Sequence, residues 1–435
     1  MLPRSRRKVW HASIAAVLTT IGLAVVSCSS ATVGLSSAIS NKAAARPASA
    51  RPAGARPAGA RPASARPASA RPASARPASA RPAAARPVGA RSAAARSAGA
   101  QSACKPISLP VAISSFTPKR YTVRGQLCTP GGTTKPDTVQ VLIPGATYSD
   151  TYWNFPYDPA KYSYVRAMLA AGYATLNFDP LGFGQSSHPL SALVTIETEA
   201  FVTHQVIQAA RSGTFGTAFS HVILVGHSMG TAVAWREAAA YHDINGMIAT
   251  GNSHHQSLVT ILKTPLITYP AALDPRFSGQ HLDLGYLTTR PGTRIDVFYN
   301  RADASPAVVA KDESTKDTVT LTFLATYFLE DVDLDTSRIH VPVLIAVGQD
   351  DALMCKGLGA DDCATSSAFL RSEAPFYSPA TCLQAYVLPN AGHDLNLSLN
   401  AQSFFQVAKR WANRWVPASG PATAHHCDGP VGPAT

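Results

Sequence analysis

From residue 119 onward the apolar positions fall into two alternating kinds of run. Short β-branched and aromatic stretches at 121–128, 139–144, 173–179, 222–225, 244–249, 341–347 and 383–388 read as strands. Between and after them, 162–171, 196–212, 228–241 and 401–415 carry apolar residues at the three-to-four spacing of a helix with one buried face. Strands alternating with helices imply right-handed crossovers, hence an α/β fold with a mostly parallel central sheet flanked by helices. The alternation lapses between about 252 and 339, a stretch holding Tyr269, Phe277, Tyr286, Phe298, Tyr299, Phe323, Tyr327 and Phe328. Because the strand pattern resumes at 341, this stretch reads as an insertion in one sheet and not as a second domain.

The first hundred residues follow a different pattern. An apolar run from about 12 to 26 stands behind Arg4, Arg6, Arg7 and Lys8 and ends in small residues, the layout of a signal peptide over 1–28. The run is shorter than the roughly 20 residues a bilayer-spanning helix needs. Val25-Val26-Ser27-Cys28 resembles a bacterial lipobox, in which the cysteine becomes the lipidated first residue. An ordinary signal cleaved nearby, with Cys28 discarded, is the alternative. Ser5-Arg6-Arg7 resembles the start of a twin-arginine signal, although Val9 and Trp10 depart from that pattern. After a short linker at 29–44, residues 45–100 repeat A-R-P-A-S/G with a period of five. Such a repeat has no large apolar side chains to offset the entropy of ordering, so a disordered tether with a polyproline bias is expected. Its evenly spaced arginines suit an anionic cell-wall polymer or membrane surface, and a mere spacer is equally open.

Charge then changes the picture. The formal net charge is +12, yet residues 1–100 hold 16 of the 38 Lys and Arg and none of the 26 Asp and Glu, which leaves 22 positive against 26 negative charges, a net of −4, for residues 101–435. The part able to build a core is mildly acidic, which excludes reading the total as a nucleic-acid footprint. Of the seven cysteines, six lie beyond Cys28. An even number in an exported chain points to disulfides. Nearness in sequence and element layout favour Cys104 with Cys128, Cys355 with Cys363, and Cys382 with Cys427 among the fifteen pairings six cysteines permit. The predicted location is therefore extracellular or at the cell surface, anchored by lipid if Cys28 is acylated.

The chemistry centres on Val222-Ile-Leu-Val-Gly-His-Ser-Met-Gly230, which sets Ser228 in G-x-S-x-G between a strand and a helix. A nucleophile on so tight a turn needs small neighbours at 226 and 230. The turn also places it at a helix N-terminus, whose N–H groups favour negative charge on an attacked carbonyl oxygen.

With this motif the sequence resembles the α/β-hydrolase superfamily over roughly 119–416, most closely an exported esterase or lipase-like member. The resemblance implies the order nucleophile, acid, histidine. Gly348-Gln349-Asp350-Asp351 follows one strand, and family spacing favours Asp351 over Asp350 as the acid. Gly392-His393 matches the histidine loop. Ser228 would then attack, His393 would take and return the proton, and Asp351 would hold the imidazole. The loop after the strand at 139–144 has Pro144 where the family usually has histidine, with the backbone of Ala146 and Met229 as the implied oxyanion hole. Asp179-Pro-Leu-Gly-Phe-Gly-Gln-Ser186 resembles the family's D-x-x-G-x-G-x-S turn, a structural element. The expected reaction is hydrolysis of a carboxylic ester, lipid and polymer esters included, through an acyl-enzyme. An amidase or peptidase, an acyltransferase or a cofactor-free perhydrolase would use the same residues, and a non-catalytic surface-binding protein on this fold is the alternative outside enzymes. The insertion at 252–339 would be a cap whose aromatics fill its own core and roof the pocket.

No cofactor is expected, since Gly182-Phe183-Gly184 lacks the third glycine of a dinucleotide loop. No metal site is expected either. There is no C-x-x-C pair, Asp331, Asp333 and Asp335 lack the glycine and glutamate of a calcium loop, and His254-His255 and His425-His426 read as polar surface pairs.

Overall fold

A computed structural model of the chain describes residues 102–132, 135–329 and 336–434. The expected signal peptide, linker and repeat tether over 1–100, and the acidic stretch at 331–335, lie outside the described residues.

Nine strands form one sheet: β1 (Ala103–Val111), β2 (Tyr121–Thr129), β3 (Thr138–Ile143), β4 (Ala174–Asp179), β5 (His221–His227), β6 (Gly246–Thr250), β10 (Val343–Gly348), β11 (Gln384–Leu388) and β12 (Gly432–Pro433), the numbers seven to nine being kept for strands between β6 and β10. Their spatial order is β1-β2-β4-β3-β5-β6-β10-β11-β12. Pairings of β1 with β2 and of β2 with β4 are antiparallel, and all others are parallel. β3, β4 and β10 are buried at every position, as strands covered on both faces must be. Alternate residues divide cleanly between two cores. Val139, Val141, Val222, Leu224, Val343 and Ile345 face the helices Ile196–Arg211 and Met229–Tyr241, while Leu142, Ile223, Val225 and Leu344 face Tyr164–Ala170 and Ala401–Trp415.

The edge strand β1 carries Pro106 and Pro110, which obscure it in the sequence but are tolerated on an edge. Its Ile107, Leu109 and Val111 alternate inward, and Cys104 lies opposite Cys128 in the register. The six cysteines pair as expected, Cys104 with Cys128, Cys355 with Cys363 and Cys382 with Cys427, which fits an oxidising compartment. Among the described residues no helix is long and apolar enough to cross a membrane.

Between β6 and β10 the chain leaves the main sheet. It forms the helix Leu258–Ile267, a small antiparallel sheet of β7 (Thr268–Pro270), β8 (Tyr286–Thr289) and β9 (Val319–Thr320), and helices at Arg294–Phe298, Pro306–Thr315 and Leu321–Leu329. Two of its aromatics, Phe277 and Tyr286, pack with Ala271 in a core of this segment's own. Others, among them Phe323 and Tyr327, pack on the main core.

Candidate active site

Ser228 joins β5 to the helix Met229–Tyr241 with φ 54° and ψ −123°, a conformation that costs a non-glycine residue about 1–3 kcal/mol. The surroundings leave it no alternative. Its N–H bonds to Thr250 O at 2.8 Å, and its carbonyl accepts from Thr231 N at 2.9 Å. A β-carbon on Gly226 would stand 2.5 Å from Gly230 O, and one on Gly230 would stand 2.4 Å from Pro144 O. The two glycines therefore let the turn close against its own helix and against the end of β3. Ser228 remains partly exposed in this packing.

The other two expected residues reach the same end of the sheet from β10 and β11. His393 Nδ1 lies 2.8 Å from Asp351 Oδ2, and both side chains are wholly buried. Asp351 Oδ1 accepts the N–H groups of Leu353 at 2.8 Å and Met354 at 3.1 Å, which fixes the carboxylate. Burial works against a charged imidazole here, but the Asp351 carboxylate outweighs it and lifts His393 above its ordinary value. His393 Nε2 is buried without a hydrogen-bond partner, where a general base would keep its proton acceptor free. Asp350 points elsewhere, to Lys356 Nζ at 2.8 Å and Asn300 Nδ2 at 3.0 Å. Gly251 shows how near the pieces lie. It follows Thr250, which holds the Ser228 amide, and a β-carbon on it would stand 3.3 Å from His393 Cε1.

Of the expected oxyanion donors, Met229 N–H opens its helix and Ala146 N–H sits in the loop after β3, neither bonded to a backbone carbonyl among the turn and loop bonds. Thr147, next to Ala146, has φ 64° and is held from three sides. Its N–H bonds to Thr318 O at 3.2 Å, its carbonyl accepts from Asp317 N at 2.8 Å, and its Oγ1 accepts from Arg294 Nη1 at 2.9 Å. The loop's shape with Pro144 in place of histidine is thus set by the segment between β6 and β10. The D-x-x-G-x-G-x-S turn is a structural clasp. Ser186 Oγ donates to Asp179 O at 2.6 Å, and the Asp179 carboxylate accepts from Gln185 N and Asp150 N.

Beneath these groups lies a buried polar network that sequence reasoning missed. Arg294 forks onto Asp312 at 2.9 and 2.8 Å, with its guanidinium 4.2 Å from the Tyr148 ring centroid. Tyr299 donates to Asp312 at 2.9 Å, and Tyr148 donates to Asp394. His227, the residue before the elbow serine, stacks on Tyr152 at 4.2 Å and lies 3.2 Å from both Thr250 Oγ1 and Asp394 Oδ1. Burial and the neighbouring His393 keep His227 neutral. Burial, then Asp312, pushes Asp394 up to about 8. The proton positions follow from the bonding. Thr250 spends its one hydroxyl proton on Gly226 O, so it accepts from His227 Nδ1–H, which leaves Nε2 bare toward Asp394 and requires that Asp394 carry the proton between them. Only two of these residues, His227 and Asp394, adjoin a motif; Tyr148, Arg294, Tyr299 and Asp312 come together through the fold alone.

His254 also departs from its expected place. Its side chain is buried, stacked between Trp235 and Phe376 and bonded to Glu373 at 2.8 Å, so of the pair only His255 reaches the surface.

A model of the alpha/beta hydrolase family matches residues 140–407. Solved structures with similar folds include a thermophilic esterase from Thermogutta terrifontis, at 18% identity and TM-score 0.47 over 71% of this chain and 98% of that one. A soluble variant of monoglyceride lipase from Saccharomyces cerevisiae matches at 17% identity and TM-score 0.48, covering 68% and 92%. A bromoperoxidase from Bacillus anthracis matches at 16% identity and TM-score 0.44, covering 67% and 96%. No sequence among curated proteins matches this chain.

Proposed function

The chain belongs to the alpha/beta hydrolase family, and from that premise we propose that it is an exported serine hydrolase that cleaves a carboxylic ester through an acyl-enzyme. One observation carries the reading. A serine sits at positive φ on a strand-to-helix turn, at the same end of the sheet as a buried His393–Asp351 pair whose Nε2 has no partner. Ser228 Oγ attacks the carbonyl carbon, His393 accepts the proton, and the N–H groups of Ala146 and Met229 take the developing oxyanion. His393 then protonates the leaving alcohol, and water repeats the sequence to free the acid. Asp351 stabilises the imidazolium at both stages.

The segment between β6 and β10 serves as the cap. Its Phe298 ring stacks on His393 with centroids 5.7 Å apart, and its Tyr327 hydroxyl donates to Asn252 at 2.8 Å, beside the elbow. The helix Leu258–Ile267 turns Val259, Leu262 and Leu266 outward at 45, 58 and 71% exposure, an apolar stripe that supports a lipid-like substrate. The signal-like leader and the disulfides support export, and the basic repeat supports retention at an anionic surface.

Hydrolysis of p-nitrophenyl esters from short to long acyl chains, by the native protein and by Ser228→Ala, tests the proposal. We expect turnover to fall by at least about 1,000-fold in the variant, with medium or long chains preferred by the native protein. Native-like turnover by Ser228→Ala would refute the mechanism, and a strict preference for acetate would refute the lipid-like substrate.

A further inference from the structure

We propose that His255, Asp361 and Glu373 form a binding site for one divalent transition-metal cation of the zinc type, beside the loop that carries Asp351. His255 Nδ1 lies 3.8 Å from Asp361 Oδ2 and 3.8 Å from Glu373 Oε1, and all three ligand atoms fall within 4.8 Å of one another. These separations are too long for hydrogen bonds. Two atoms 3.8 Å apart, each about 2.1 Å from a shared ion, subtend an angle of about 130°, and a closing of about 0.4 Å makes it tetrahedral. The side chains of Asp361 and Glu373 are fully buried, and His255, 38% exposed, leaves an entry path from solvent. Neither His255 Nδ1 nor Asp361 Oδ2 has a hydrogen-bond partner, although each is buried from water.

The surroundings hold the ligands as an outer shell does at a metal centre. Glu373 Oε1 accepts His254 N–H at 2.9 Å, and its Oε2 lies 2.8 Å from His254 Nδ1. His254 Nε2 in turn meets Thr336 Oγ1 at 3.0 Å. Asp361 Oδ1 accepts the N–H of Asp362 at 2.8 Å, leaving Oδ2 for the ion. One histidine with two carboxylates, at least one position being open to water, suits zinc better than calcium, which takes six to eight oxygens.

The ion would act on the fold around the active site and not on substrate. It would join the loop after β6 to the disulfide-closed loop 355–363 and to the helix Ser366–Glu373. Asp361 N–H bonds to Met354 O at 2.7 Å, and Met354 N–H bonds to Asp351 Oδ1 at 3.1 Å, so the site is two hydrogen bonds from the group that orients His393. The ligands are separated by 106 and 12 residues, which is why no compact spacing announced them. A second cluster, His204 with Glu237 and Asp243, is a weaker candidate, because His204 Nδ1 and Asp243 Oδ2 stand at the ion-pair distance of 2.8 Å, too close for two ligands of one tetrahedral ion.

Chelator-stripped protein carrying His425→Asn and His426→Asn, to remove the exposed histidine pair, is dialysed against limiting zinc, and retained metal and unfolding temperature are measured. The same is done after adding His255→Ala, Asp361→Asn or His204→Ala, with calcium as a second probe. We expect about one zinc per chain and a rise in Tm of at least about 3 °C, unchanged by His204→Ala, abolished by His255→Ala and Asp361→Asn, and not reproduced by calcium. Retention of no zinc, equal retention after His255→Ala, or loss after His204→Ala would overturn the proposal. The first of these outcomes would mean that a protonated His255 bridges the two carboxylates as an ion pair only. His255 is partly exposed, so its alanine variant decides the matter even if Asp361→Asn fails to fold.

Discussion

Asp350 and Asp351 are neighbours in the chain with different partners, and the difference is measurable. Asp351→Asn keeps the shape of the side chain but removes the charge that lifts His393, so kcat should drop by about 100- to 10,000-fold. Catalysis needs the neutral imidazole, and the native activity should rise with pH through a value above the ordinary one for histidine. In the residual activity of the variant that limb should move to lower pH. Asp350→Asn breaks only the contacts with Lys356 and Asn300 and should stay within about three-fold of native. Steady-state pH profiles of both variants decide between the two acids. Asp394 makes a separate prediction. Its folded value of about 8 stands above the roughly 3.9 of an unfolded aspartate, so its contribution to stability is complete below about pH 4 and is lost as pH rises through about 8. Asp394→Asn offers an N–H to His227 and an oxygen to Tyr148 with nothing to ionise. Its melting temperature between pH 5 and 9 should decline less than the native one, and parallel curves would contradict a protonated Asp394.

At the scale of elements, the turn after β5 was legible because its constraints are local: two glycines, a strand before and a helix after. The strands β3, β4, β5, β6, β10 and β11 were legible from runs of β-branched residues, and the helix Ala401–Trp415 from its period. β1 was not, because two prolines mask its alternation, and the helix Ser366–Glu373 and the short β12 left no signal strong enough to read. The loop after β3 was legible as a position but not as a shape. What shapes it is Arg294, 147 residues away, reaching Thr147 while its charge is neutralised by Asp312. No local pattern encodes a contact of that range. Arg294→Ala would leave the Asp312 carboxylate buried and unpaired, and should cost about 3–5 kcal/mol in chemical denaturation. Arg294→Lys keeps the charge but loses the fork, and by loosening the loop that presents Ala146 it should lower kcat more than it raises KM. A stable Arg294→Ala protein with native kcat would contradict this role for the loop.

For the molecule as a whole, the charge of +12 separates at about residue 100 into a basic N-terminal part and an acidic remainder that carries the fold. The three disulfides brace that remainder at three separate places. One pins the edge strand β1, one closes the loop beyond Asp351, and one ties residue 427 to the start of β11. Each such link typically contributes about 2–4 kcal/mol. Everything proposed for the active site depends on a single nucleophile in the whole chain, and intact mass spectrometry after treatment with a fluorophosphonate tests that most directly. The account predicts one covalent adduct per native chain, mapped to Ser228 after proteolysis, and none in a folded Ser228→Ala protein. An adduct that persists in that variant, or a folded native protein that takes none, would contradict it.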